Sequence, residues 1–208
     1  MEALKAQLAA GISALGLAIS APQQDSLYQY LCLLMKWNQA YNLTAVRDAS
    51  EMVNRHLLDS LSVLPYVQPQ GRLLDVGSGP GLPGIPLAIC YPELKVTTLD
   101  SNGKKTRFQQ QAKFELGLEN LEVVQSRVEK LVREPFDQVI SRAFASLEDM
   151  LNWSGHLCAP SGVCLAMKGV YPEQELQAIP QGFALKACHS LAVPGTPGER
   201  HLLILGRA

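Results

Sequence analysis

Apolar and polar positions along this chain follow two different periods, and the change falls near residue 66. Before it, apolar side chains recur at the three-to-four spacing of helices. Residues 1–18 carry Leu4, Leu8, Ile12 and Leu15 on one face, interrupted by Gly11 and Gly16. Ser20-Ala21-Pro22 then starts a second helix, with a capping residue just before a proline in the first turn. Its apolar face is Leu27, Tyr30, Leu31, Leu34 and Met35. The stretch from Trp37 to Thr44, rich in aromatics and amides, reads as a turn. A third helix is predicted from about Ser50 to Leu64, with Met52, Val53, Leu57, Leu58 and Leu61 inward and Pro65 as its stop. Nothing linker-like follows, so residues 1–65 are read as an N-terminal helical cap on a main domain of 66–208, one compact unit.

From Arg72 onward, short apolar runs alternate with helix-like segments. The runs fall at 72–76, 95–99, 121–124, 137–140 and 162–167, each followed by a predicted helix. That alternation is the signature of a parallel sheet covered on both faces. The end differs. Phe183–Leu191 and Arg200–Leu205 read as two strands joined by Pro194-Gly195-Thr196-Pro197-Gly198. The expected fold is therefore α/β and Rossmann-like: a mostly parallel seven-stranded sheet whose last strand is antiparallel. Such a finish is typical of class I methyltransferases that use S-adenosylmethionine and unusual for NAD domains.

The first predicted strand runs into Asp75-Val76-Gly77-Ser78-Gly79-Pro80-Gly81-Leu82-Pro83-Gly84, four glycines within eight positions. Glycine lets a backbone turn tightly and approach a ligand, and a strand-to-helix loop aims N–H groups at whatever lies above it. The dinucleotide spacing G-x-G-x-x-G occurs from Gly79 to Gly84, but two residues late and with prolines inside. The register Asp75-x-Gly77-x-Gly79-x-Gly81 begins directly at the strand. An acidic residue two before the first glycine is the pattern of S-adenosylmethionine binders, where a carboxylate helps hold the cofactor's cationic end.

Ligands of such sheets lie beyond the C-terminal strand ends. The second strand ends in Asp100, about twenty residues past the glycines, placed for ribose hydroxyls. The third leads into Ser126-Arg127-Val128-Glu129, where the backbone of Val128 and Glu129 suits an adenine edge; the same residues also read as an ordinary capping box. The fourth delivers Ser141-Arg142-Ala143-Phe144. This is neither the Asn/Asp-Pro-Pro-aromatic of amine methylation nor a cysteine nucleophile. An arginine suits an acceptor that needs no deprotonation, such as guanine N7; an ion pair of Arg142 with Asp75 or Glu129 is the plainer use. Leu82 is placed to pack against the cofactor.

Composition narrows this further. A formal net charge of −1 gives no global nucleic-acid signature, so RNA contact has to be local. Its candidates are Arg55, His56, Lys104, Lys105, Arg107, Lys168, Arg200 and His201, with Trp37 and Tyr41 as stacking rings. The five cysteines, never spaced C-x-x-C, support neither a disulfide framework nor a metal site. With no transmembrane run and no signal pattern, a cytoplasmic monomer without metal is expected.

Four stretches, Lys36-Trp37-Asn38-x-x-Tyr41-Asn42-Leu43-Thr44, Arg55-His56-x-x-Asp59-Ser60, Asp75 to Pro86 and Ser141 to Phe144, together with Gly198-Glu199-Arg200-His201, resemble the RsmG (GidB) family. The resemblance covers nearly the whole chain. It implies a bacterial enzyme that methylates N7 of a guanine in 16S ribosomal RNA, in the decoding-site loop of the small subunit. It also implies a bearing on streptomycin susceptibility, and cofactor contacts at Gly77, Leu82, Val128, Glu129 and Arg142. The rival readings are an NAD-dependent oxidoreductase, opposed by Asp75 and the terminal hairpin, a fold-related RNA-binding or ribosome-assembly factor without activity, and a methyltransferase of small molecules or proteins.

Overall fold

The computed structural model describes residues 2–142, 144 and 146–208; Ala143, within the Ser141–Phe144 stretch, lies outside the described residues. Helices α1 (Glu2–Ala14) and α2 (Ala21–Tyr41) come first. Ser20 caps α2 through a reciprocal box with Gln23, as its spacing before Pro22 predicts. The helix then continues through Trp37–Tyr41, where the sequence reads as a turn. The ring of Trp37 lies 5.1 Å from Tyr41 one helical turn on and 5.8 Å from Phe108, so both aromatics are held in the helix by packing. The amide of buried Asn38 explains the misleading composition. It donates to Val46 O (3.1 Å) and accepts from Thr44 N (2.9 Å), sewing down the chain that follows.

The third predicted helix is also irregular. It divides into α3 (Ala49–Met52), a π-helical turn (Val53–Leu58), α4 (Asp59–Leu61) and a 3₁₀ turn at Leu64–Tyr66. A π turn inserts one residue per turn and commonly accompanies functional sites. Here it carries Arg55 and His56.

The seven strands are β1 (Gly71–Val76), β2 (Leu94–Asp100), β3 (Leu121–Gln125), β4 (Phe136–Ser141), β5 (Cys158–Lys168), β6 (Phe183–Ser190) and β7 (His201–Arg207). Their order is β3-β2-β1-β4-β5-β7-β6, with β7 antiparallel to both neighbours. β7 thus sits between β5 and β6. Connecting helices are α5 (Gly84–Cys90), α6 (Gly103–Leu116), α7 (Leu147–Ser154) and α8 (Glu173–Gln177). After β3 only a single 3₁₀ turn, Val128–Lys130, stands where a helix is predicted. Strand alternation sends Leu73, Val96, Ile140 and Leu165 to one core, shared with α1, α2, α5 and α6. Leu74, Val76, Val139 and Ala166 go to a second core under α7. The order reverses direction between β1 and β4, and ligands of open α/β sheets bind at that switch point. No helix among the described residues is long and apolar enough to cross a membrane.

Gly84 shows how tightly this switch point is packed. A Cβ there would lie 2.6 Å from Thr98 Cγ2 and 2.8 Å from Asp75 Oδ2. Gly84→Ala is therefore expected to cost about 1–3 kcal/mol by overpacking. Urea unfolding measures it; a wild-type midpoint would show that the neighbours yield.

Candidate active site

The loop between β1 and α5 is fixed from below and from both sides. Gly77 N and Ser78 N donate to Leu99 O (2.8 and 3.1 Å), carrying the β1–β2 pairing past the end of β1. Gly79, at φ +60°, donates to Asp100 Oδ2 at 2.8 Å. Its φ lies in the left-handed region that glycine adopts without penalty. From α6, fully buried Gln109 donates to Ser78 Oγ (2.9 Å) and Gly79 O (2.7 Å). From α2, Tyr30 donates its phenol to Pro80 O at 2.8 Å. Beneath the loop, Asp75 Oδ2 accepts from Gly84 N at 2.8 Å, while Oδ1 is buried with no hydrogen-bond partner among the described residues. Burial pushes the Asp75 carboxyl up to about 7, against the opposing pull of the Gly84 N–H and of Arg142.

Beside this loop lies a cavity of about 380 Å³ at the ends of β1 to β4. Gly77, Asp100, Val128 and Glu129 line it, so four of the predicted cofactor residues meet in one place. The Asp100 oxygens accept from Gly79 N and Asn102 N (2.8 Å each), and the remaining lone pairs are available to hydroxyl donors. Ser126 does not cap the turn at Val128; its hydroxyl donates to Arg127 O at 3.0 Å, and no capping box forms. The far wall is Phe144 and Trp153, whose rings meet edge to face at 5.7 Å. Lys105 also reaches this cavity.

Four of the predicted cofactor residues lie elsewhere; Gly79, tied in the loop to Asp100, lines neither cavity. Leu82, 2% exposed, is packed in the core under the loop and lines neither cavity. Asp75 is likewise beneath the loop, as its anchor. Arg142 lines a second cavity, of about 390 Å³, across the end of β4. Its ion pair is neither with Asp75 nor with Glu129 but with Asp59 Oδ2, at 2.9 Å.

That second cavity collects five of the predicted RNA contacts, Arg55, His56, Lys168, Arg200 and His201, beside Arg142. Several are already paired. Lys168 meets Glu175 at 2.8 Å, Arg55 meets Glu51 at 3.4 Å, and Arg200 Nε meets Asp59 Oδ1 at 3.3 Å. His56 is buried, with Nε2 2.8 Å from Thr44 Oγ1. Burial, reinforced by Arg142, lowers its pKa to about 4, so it stands neutral at pH 7. Its role is in the wall rather than as a cationic contact.

Trp37 and Tyr41 line neither cavity, and Lys104 is exposed away from both. Asp59 is the main residue that a search for cations overlooks. Its signal is the i, i+4 distance from Arg55, which places both near one helical face. Gln109 and Tyr30 carry no local signal, because their partners are backbone atoms far away in sequence. No group of three or more potential metal-ligating side chains clusters among the described residues.

Comparison with known proteins agrees with this geometry. The chain resembles solved methyltransferase structures at the level of fold. The Thermus thermophilus TrmN structure matches with a TM-score of 0.60 and 18% identity over 75% of this chain and 53% of that one. A precorrin-6y C5,15-methyltransferase from Geobacter metallireducens matches with a TM-score of 0.56 and 13% identity, over 81% and 92%. Sequence relatives are much nearer. The ribosomal RNA small subunit methyltransferase G of Pseudomonas aeruginosa PAO1 is 60% identical over 97% of this chain and 94% of the relative. That of Pseudomonas fluorescens Pf0-1 is 58% identical over the same shares. A family model covers residues 23–203, and by that match the chain belongs to the GidB family, rRNA small subunit methyltransferase G.

Proposed function

We propose that this chain methylates 16S ribosomal RNA of the small subunit at N7 of a guanine, using S-adenosylmethionine. The observation that carries the reading is the pair of cavities on either side of the end of β4. One is bounded by the glycine loop and Asp100 and reached by Phe144; the other is cationic and reached by Arg142, two residues away. The first suits the cofactor. Asp100 would take the ribose hydroxyls, the backbone at Val128 and Glu129 the adenine edge, and the buried, unpartnered Oδ1 of Asp75 is an acceptor waiting for a cationic donor. When bound, the cofactor supplies an electrophilic methyl group on a sulfonium.

The second cavity suits the acceptor base. Guanine N7 carries an in-plane lone pair and no proton, so nothing has to be abstracted before attack. The side chains agree: His56 is buried and hydrogen-bonded to Thr44, and Asp59 is engaged by two guanidinium groups. Neither is poised as a general base. What the cavity provides is position. Arg142 and Arg200 are planar donors for guanine O6 or a backbone phosphate. Met167 and Leu191 supply apolar wall for the base.

Two outcomes test the proposal. Label from S-adenosylmethionine should enter small-subunit RNA at a guanine N7, and Arg142→Ala should lower the rate about 10²–10³-fold, the usual cost of one lost transition-state donor. Undiminished transfer by Arg142→Ala would remove it from the active site; RNA binding with no transfer by the wild type would favour an assembly factor.

The second concerns pH. The unliganded Asp75 carboxyl holds its proton up to about 7, and a cation against Oδ1 favours the anion. Binding then expels a proton below that value, so affinity for S-adenosylhomocysteine should rise from about pH 5 to about pH 7, by at most about tenfold per pH unit, and level off above it. Calorimetry in that window should find the dependence lost in Asp75→Asn. A flat wild-type profile would leave Asp75 as a loop anchor alone.

A further inference from the structure

We infer that Asp59 is the positioning residue of the acceptor cavity: one buried carboxylate that orients Arg142 and Arg200 together and holds the charge they present to one. The inference rests on the function proposed above and concerns the same cavity.

Asp59 opens α4 directly after the π turn, and its side chain is 7% exposed. Oδ2 accepts from Arg142 Nη1 at 2.9 Å, and Oδ1 accepts from Arg200 Nε at 3.3 Å. The two arginines come from distant parts of the chain, 83 and 141 residues from Asp59, one after β4 and one before β7. Both side chains are long and flexible, and their like charges repel. The shared anion joins them side by side at the wall of one cavity.

Each guanidinium has one further contact, and each contact leaves donors over. Arg142 Nη1 also donates to Arg55 O (3.2 Å), and Arg200 Nη1 donates to Glu199 O (2.7 Å). Nε and Nη2 of Arg142 and Nη2 of Arg200 have no hydrogen-bond partner among the described residues. Planar donors fixed in this way match a planar acceptor such as a purine carbonyl, or a phosphate, far better than mobile ammonium groups would. The other cations at this cavity, Lys168 and Arg55, are balanced by Glu175 and Glu51. One net positive charge therefore remains on the three-residue cluster. It is enough to favour RNA, and it limits the non-productive grip that two unopposed arginines would have on any phosphate.

This predicts opposite effects on binding and turnover. Asp59→Asn keeps the shape but removes the anion. RNA should bind at least as tightly as to wild type, with a log–log salt slope steeper by about 0.7, the value for one added phosphate contact on a single strand. At the same time kcat at saturating RNA should fall about 10–100-fold as Arg142 loses its orientation. A purely structural role would reduce the folded fraction and leave slope and kcat per folded molecule unchanged; that result, or wild-type kcat, overturns the assignment. If Asp59→Asn does not fold, Asp59→Glu carries the test. It keeps the charge and displaces both guanidiniums, so kcat should fall at an unchanged salt slope, and wild-type kcat would overturn the assignment. Wild-type transfer to RNA, run alongside, separates the two levels. No transfer sinks the proposed function, whereas normal wild-type transfer with unaltered turnover in the Asp59 variants overturns only the role of Asp59.

Discussion

At the end of β1 the chain leaves the sheet with backbone N–H groups at Gly77, Ser78, Gly79 and Gly84 that neither the sheet ladder nor α5 takes up. Buried polar groups of this kind have to be paired. Each finds a particular acceptor: Leu99 O for Gly77 and Ser78, Asp100 for Gly79, and Asp75 for Gly84. Those acceptors sit on β1 and β2, so the loop inherits the rigidity of the sheet. Gln109 and Tyr30 add clamps from α6 and α2. The first cavity exists because this loop cannot collapse into it, and the first core is continuous from sheet to N-terminal helices because Tyr30 and Phe108 pack beneath it, with ring centroids 5.9 Å apart.

Much of this was readable from residue order. The runs around Leu73, Val96, Val139 and Leu165 are apolar on both faces, as fully buried parallel strands have to be, and the sheet follows from them. That Asp100, Val128 and Glu129 meet at one cavity was legible because ligand positions in this architecture are tied to strand ends. What could not be read depends on partners distant in sequence. Trp37–Tyr41 looked like a turn because amides favour turns, yet Asn38 spends its amide on Val46 and Thr44. Leu82 looked like a cofactor contact because it lies in the loop; its side chain is in the core. Arg142 was expected to meet a near neighbour on the strand ends, but its partner Asp59 comes from a segment whose π turn no periodicity announces.

The near-neutral composition and the nucleic-acid substrate fit together through burial. Counting charges treats Arg142, Arg200 and Lys168 as equal to any surface lysine. In the structure they are concentrated at one cavity, where each partly buried charge is screened less by solvent than an exposed one. The balancing carboxylates Asp59 and Glu175 lie behind or beside them. On the proposed function, a local field of this kind would orient a base without making the whole protein an RNA-coating polycation, so a formal charge of −1 says little about the substrate.

The same economy distinguishes the three buried carboxylates around the site. Asp100 has both oxygens on backbone donors and is a fixed acceptor. Asp59 has both oxygens on guanidiniums and acts by holding cations. Asp75 has one oxygen on Gly84 and the other without a hydrogen-bond partner among the described residues, and burial pushes it toward its neutral form. An anion left half satisfied in a fully buried place is a cost that folding by itself would not retain. A bound cation would offset that cost, and on the proposed function the cofactor's amine would be that partner.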